Sequence, residues 1–264
     1  MSTTLLHSWA ATYRKKRWVV WIVVAVVMLF ALKTPMETHL TQVHKELRYG
    51  NTRHILKMRD HLSQEMFLAI LGGFRGVSAD IFWILSHVDW ERQLFFRMDK
   101  RMDLTLMLQP LSMHYWTQAA WHRAWNMSYA ARVDPHEPKE TVRLRNEMRW
   151  IQAGRETLER GLEVLPESWE MWRDYAWLLK QKQQSYLEAA EANRRASELP
   201  GAPIFLRRQV ADCLYAAGKH DEAYELMRRL WQEGEVHHVP TFRKRIPELE
   251  AELKIPPEKR IFPR

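Results

Sequence analysis

Residues 18–32 read WVVWIVVAVVMLFAL, fifteen apolar residues without a break, directly behind Arg14-Lys15-Lys16-Arg17. A run that is apolar on every side has no polar face to turn to water, which excludes an ordinary amphipathic surface helix. As a helix rising about 1.5 Å per residue it covers about 22 Å, short of the roughly 30 Å hydrocarbon core of a bilayer. The flanks make up the difference: Arg17 and Lys33 can snorkel, and Trp18 and Trp21 suit the headgroup region. A buried core helix and a cleaved signal peptide are the alternatives. The run ends in Ala31-Leu32-Lys33-Thr34-Pro35, which lacks the small-x-small pattern of a cleavage site, so an uncleaved signal anchor is favoured. The cations precede the span, so the N-terminus is expected to stay in the cytoplasm. The rest of the chain then lies on the far side, which in a bacterium is the periplasm.

Charge follows the same division. Residues 1–33 hold five basic residues and no acid, whereas 34–264 hold 35 basic and 32 acidic residues. The high pI thus belongs largely to the N-terminus, and the remainder lacks the basic excess of a nucleic-acid-binding domain. The single cysteine, Cys213, excludes internal disulfides, zinc ribbons and Cys-ligated clusters. Nine glycines in 264 residues are few for a fold built on tight turns. The expected fold class is therefore all-α: one N-terminal transmembrane helix followed by a helical body.

Along the chain we read a cytoplasmic basic tail (1–17), a transmembrane signal anchor (18–33) and a stalk or amphipathic helix (34–65). A helical repeat domain (66–231) and a C-terminal capping helix with a tail (232–264) follow. Residues 66–85, MFLAILGGFRGVSADIFWIL, are a possible second span. Gly72-Gly73 interrupts it, and Arg75 and Asp80 near its middle are costly in lipid. A Gly-Gly joint between two helices is the better reading, and an Arg75–Asp80 ion pair is one way to fix it. The acid pairs Asp89 and Glu91, and Asp134 and Glu137, read as solvated.

Prolines close helical stretches at Leu165-Pro166 and Leu199-Pro200, 34 residues apart. After Pro166, Trp172, Tyr175, Ala176 and Leu179 share one helical face, with Ala189 and Ala196 on the next helix. In the following unit Val210, Ala211 and Leu214 match the first helix, Ala217-Gly218-Lys219 the turn, and Ala223, Met227 and Leu230 the second helix. Gly154, Leu158, Gly161 and Pro166 mark an earlier second helix. Its partner lies within 113–131, with an insertion around Pro135–Pro138. Small residues let paired helices approach, and large ones fill the gap to the next pair. This pattern resembles the tetratricopeptide repeat, and ILGGFRGVSADIFWI followed by Trp-rich repeats resembles bacterial membrane-anchored repeat proteins. The resemblance implies an α-solenoid with a concave wall made by the first helix of each pair.

Carrying the family's groove register onto this sequence implies a partner-binding surface. It takes Asp80, Trp83, His87 and Trp90 from an outlying first unit. His114, Thr117 and Trp121 come from the second, Glu170, Arg173, Trp177 and Lys180 from the third, and Phe205, Arg208, Asp212 and Tyr215 from the fourth. Trp and Arg offer large area with a polar handle, which suits a peptide tail or a helix of another membrane protein. The competing reading makes each Trp core filling between wide helices. No nucleophile elbow, phosphate loop or zinc-protease motif occurs, and His114 and His122 lie two turns apart, too far to chelate together. No cofactor is implied. The expectation is a non-catalytic, membrane-tethered scaffold. The alternatives are a permanent accessory subunit of a larger membrane machine and an enzyme acting on envelope polymers.

Overall fold

The computed structural model describes residues 73–262 and, ahead of them, Trp21, Val24 and Met28, which are helical and exposed. The rest of the expected anchor, the stalk at 34–65, and Gly72 lie outside the described residues. Within those described there are helices and turns and no strand, so the all-α expectation holds. Among them no helix is long and apolar enough to cross a membrane. The chain divides into two compact units that meet at Gln109 and Pro110, and each is described by itself.

In the first unit, Gly73 turns the chain with φ +95° and α1 (Arg75–Glu91) follows at once. The second part of 66–85 is therefore a helix that starts at the glycine joint. α2 (Phe95–Leu108) packs on α1 through Ala79, Phe82, Leu104 and Leu108. The α1–α2 turn closes with Leu94 N–H on the Asp89 carbonyl and Gln93 N–H on the Trp90 carbonyl, both 2.9 Å. That is a Schellman pairing with Gln93 left-handed at φ 57°.

The structure departs from two expectations. Arg75 does not brace the joint through Asp80. Its Nε donates to the Leu108 carbonyl and its Nη2 to the Met107 carbonyl at 3.1 Å, while Asp80 is exposed. The last carbonyls of a helix lack intrahelical donors, and a guanidinium satisfies them while matching the negative helix end. Asp89 is not solvated either: its side chain is fully buried. Arg97 Nε donates to it at 2.8 Å, and Arg101 Nη1 lies 2.6 Å from its second oxygen.

The second unit begins with α3 (Met113–Trp121), which runs through a π-helical segment, His122–Met127, into α4 (Ser128–Arg132). α5 (Glu140–Val164) returns along it. The insertion expected around Pro135–Pro138 shrinks to the loop 133–139, because α5 starts at Glu140, well before the Gly154 that marks this helix in the sequence. That loop is internally bonded. His136 N–H reaches Asp134 Oδ1 at 2.9 Å and Lys139 N–H reaches Glu137 Oε1 at 3.0 Å, so both acids serve the backbone.

Next come α6 (Trp169–Leu178) with a second π segment, Leu179–Gln183, then α7 (Tyr186–Glu198), α8 (Phe205–Ala216), α9 (His220–Glu233) and α10 (Pro240–Glu252). Ser168 caps α6, its hydroxyl accepting from Met171 N–H at 3.3 Å. Packing in this unit is chiefly between successive helices: α5 on α6, α6 on α7, α7 on α8, α8 on α9, α9 on α10.

The small residues sit where helices approach. A Cβ on Gly154 would lie 2.9 Å from the Ala120 carbonyl oxygen and 2.7 Å from Ala124 Cβ. One on Gly161 would lie 2.3 Å from Met171 Cε and 3.0 Å from the Trp116 ring. Ala176, Ala189, Val210, Ala211, Leu214, Ala223, Met227 and Leu230 share one core with Phe242, Ile246 and Leu249 of α10.

Candidate binding groove

Two adjoining hollows in the second unit bring together side chains from α3, α6 and α8. The smaller, about 100 Å³, is lined by Thr117, Trp121, Trp125, Leu158, Asp174 and Trp177 among others. The larger, about 380 Å³, is lined by Arg173, Asp174, Trp177, Lys180, Phe205 and Gln209 among others. Trp177 and Asp174 belong to both, so Trp177, 45% exposed, stands between them.

The two π segments shape this region. Each follows the end of a helix on the groove side, and each widens the backbone by one residue in a turn, so the side chains beyond it rotate relative to a regular α-helix. The first carries Trp125 and the second carries Lys180 and Lys182. Trp125 stacks on Trp177 with ring centroids 4.3 Å apart and planes 9° from parallel. Lys182 Nζ lies 5.4 Å from the centroid of the Trp125 ring, within cation–π range. The second segment closes where Ser185 N–H meets the Leu179 carbonyl at 3.0 Å and Gln184 turns left-handed at φ 54°.

The groove's charges are unequally committed. Arg173 donates to Asp174 at 2.8 Å and lies over the Trp169 ring, 5.4 Å from its centroid. Burial pushes the Asp174 carboxyl up from its ordinary value, and Arg173 partly opposes that. Burial pulls the Lys182 ammonium down, with Glu147 opposing. Lys180 makes no hydrogen bond or ion pair among the described residues, although its charge is felt by Asp212. An aromatic wall with one uncommitted cation and amide side chains such as Gln209 offers area, direction and hydrogen bonds, but no nucleophile with a base beside it.

The sequence-derived set divides. Thr117, Trp121, Arg173, Trp177, Lys180 and Phe205 do line the hollows. His114 is exposed beside Tyr115 at the far end of α3, and Glu170 accepts from the Ser168 hydroxyl at 3.0 Å; neither lines them. Arg208, Asp212 and Tyr215 turn instead to the C-terminal cap. Arg208 Nη1 donates to the Val236 carbonyl at 2.9 Å, Asp212 pairs with Arg245, and Arg245 lies over Tyr215 at 4.6 Å. Those three join α8 to the chain beyond α9, which the repeat register alone does not reveal.

Trp83, His87, Trp90 and Asp80 are on α1 in the first unit. There Trp83 meets the His87 ring edge-on at 5.1 Å and Trp90 meets Phe95 at 6.0 Å. Trp125, Asp174 and Lys182 were missed. Trp125 lies one helical turn beyond Trp121, a signal that was available; Lys182 owes its place to a π segment that has no sequence signature. Comparison with family models and with curated proteins finds no match to this chain.

Proposed function

We propose that this chain is a non-catalytic scaffold tethered to the bacterial inner membrane. Its N-terminus is cytoplasmic and its tetratricopeptide-like body is periplasmic. Residues 18–33 serve as the anchor in the bilayer. The body holds a peptide tail or a helix of another envelope protein, and no nucleic acid is involved. The observation that carries this reading is the groove on the second unit, where Trp121, Trp125 and Trp177 form an aromatic wall beside Arg173 and Lys180. Trp121 is 39% exposed and Trp177 45%, so both present ring surface outward rather than only filling the core. Burying such rings against a partner supplies affinity, and the cations supply orientation.

The test is capture of partner from gently solubilised membranes by the full chain and by the Trp177→Ala, Arg173→Ala double variant. The variant is expected to keep its helical circular dichroism and to lose at least about 1–2 kcal/mol of partner affinity, the range for hot-spot truncation. Unchanged capture by a folded variant would remove the groove from the account.

A further inference from the structure

We propose that the groove's ligand is an acidic peptide segment in which an apolar side chain neighbours a carboxylate. This inference rests on the docking reading above and narrows it. The smaller hollow, about 100 Å³, is below the roughly 300–1,000 Å³ of small-molecule pockets. Trp121, Trp125, Leu158 and Trp177 line it together with the polar Thr117, Gln118 and Asp174, and the apolar part of that lining can take one aliphatic or aromatic side chain.

Directly across Trp177, the larger hollow presents Lys180. The other cations near it are already engaged. Arg173 is held by Asp174, and Arg208 by the Val236 carbonyl. Lys180 is half-buried with no hydrogen bond or ion pair among the described residues. An ammonium without an internal partner gains from an anionic acceptor. Lys182 lines neither hollow, but its ammonium lies 5.4 Å from the centroid of the Trp125 ring that lines the smaller one, with a 3.5 Å approach to the Ser128 hydroxyl. An apolar side chain on one side of Trp177 and a carboxylate on the other match these two hollows in order.

A polyanionic nucleic acid does not match. Asp174 lines both hollows, and Asp212, though paired with Arg245, lies near enough to Lys180 for their charges to interact, whereas phosphates bind through runs of unopposed Lys and Arg. A peptide carries isolated carboxylates that can meet Lys180 and avoid those acids.

The experiment uses the full chain in lipid nanodiscs and a phage-displayed library of random linear peptides. Selection runs in parallel on the wild type, on Lys180→Glu with Lys182→Glu, on the milder Lys180→Gln with Lys182→Gln, and on Trp177→Ala. Circular dichroism checks that each is folded. Peptides enriched on the wild type are expected to place Asp or Glu beside Leu, Ile, Phe or Trp. Synthesised with a fluorophore, they should bind the lysine variants about ten-fold more weakly or worse, an effect of roughly 1.4 kcal/mol or more. Enrichment of basic or uncharged peptides, equal binding to the lysine variants, or no enrichment at all would overturn the proposal.

The two levels fail separately. If capture from membranes depends on Trp177 and Arg173 while the selected peptides are not acidic, the ligand class is wrong and the docking reading stands. If neither capture nor peptide binding depends on Trp177, the docking reading falls with it.

Discussion

Gly154 is the residue at which helix approach is tightest against something that cannot move. A methyl there would sit 2.9 Å from a backbone oxygen of α3, so the helices must part rather than a side chain rotate. Gly154→Ala should therefore destabilise the fold by about 1–3 kcal/mol, despite alanine's better helix propensity, as read from denaturant melts. At Gly161 the closest atom is the end of Met171, which is flexible, but the Trp116 ring behind it is less so.

His237 makes the second residue-scale prediction. Its side chain is fully buried and neither ring nitrogen has a hydrogen-bond partner among the described residues; Glu233 Oε2 stands 3.7 Å away. Burial, helped by the charges of Arg208, Arg207 and His238 and opposed by Glu233, holds its pKa below the ordinary 6.5. Between that lowered value and 6.5 the unfolded chain binds the proton and the folded chain does not, so stability falls as pH falls below 6.5. Glu233, held low by Arg207, loses its contribution only below its ordinary 4.5, a separate window. Melting temperatures at about pH 7.5 and about pH 5.5 should thus differ more for the wild type than for His237→Leu. Equal differences would show that the ring titrates freely.

At the scale of elements, the α1–α2 turn depends on a charge that sequence reading placed in solvent. Asp89 is buried on the last turn of α1, with Arg97 and Arg101 reaching it from α2. Asp89→Ala would leave Arg101 with the Leu85 carbonyl and Arg97 half-exposed to water, and should cost about 1–3 kcal/mol. Limited proteolysis within 92–109 reads this directly, since cleavage should speed up in the variant; an unchanged rate would mean that the ion pairs add nothing net.

What was legible at this scale follows from how much of the cause is local. The turn at Ala217-Gly218-Lys219 was readable because Gly218 takes φ +73° in a Schellman close. The same close at Gln93 and at Lys254 was not, because neither residue announces a left-handed backbone. The small residues Ala176, Ala189 and Ala196 were placed correctly in the core, since only small side chains permit that approach. The two π segments left no trace in residue type, and with them Lys182 and the Trp125–Trp177 stack went unseen.

For the whole molecule, fold class and binding surface were legible to different degrees. The helical class was visible from low glycine content and helix-period patterning. Groove membership was visible only for positions whose helices keep an open side. Trp121, Arg173 and Trp177 kept theirs, while Arg208, Asp212 and Tyr215 were taken up by Arg245 and Val236 from beyond the repeats. A register carried over from a repeat pattern does not include the segment that caps the array, and that segment decides which positions remain free.

The most direct measurement is in-cell photo-crosslinking from two exposed positions on the second unit: Phe205, which lines the larger hollow, and Leu187 on α7, which does not. A photoreactive residue at Phe205 should yield a discrete adduct with one membrane-associated protein, lost when Trp177→Ala is added, and the same probe at Leu187 should yield none. An adduct of equal strength from Leu187, or none from Phe205, would contradict the assignment of this groove as the docking surface.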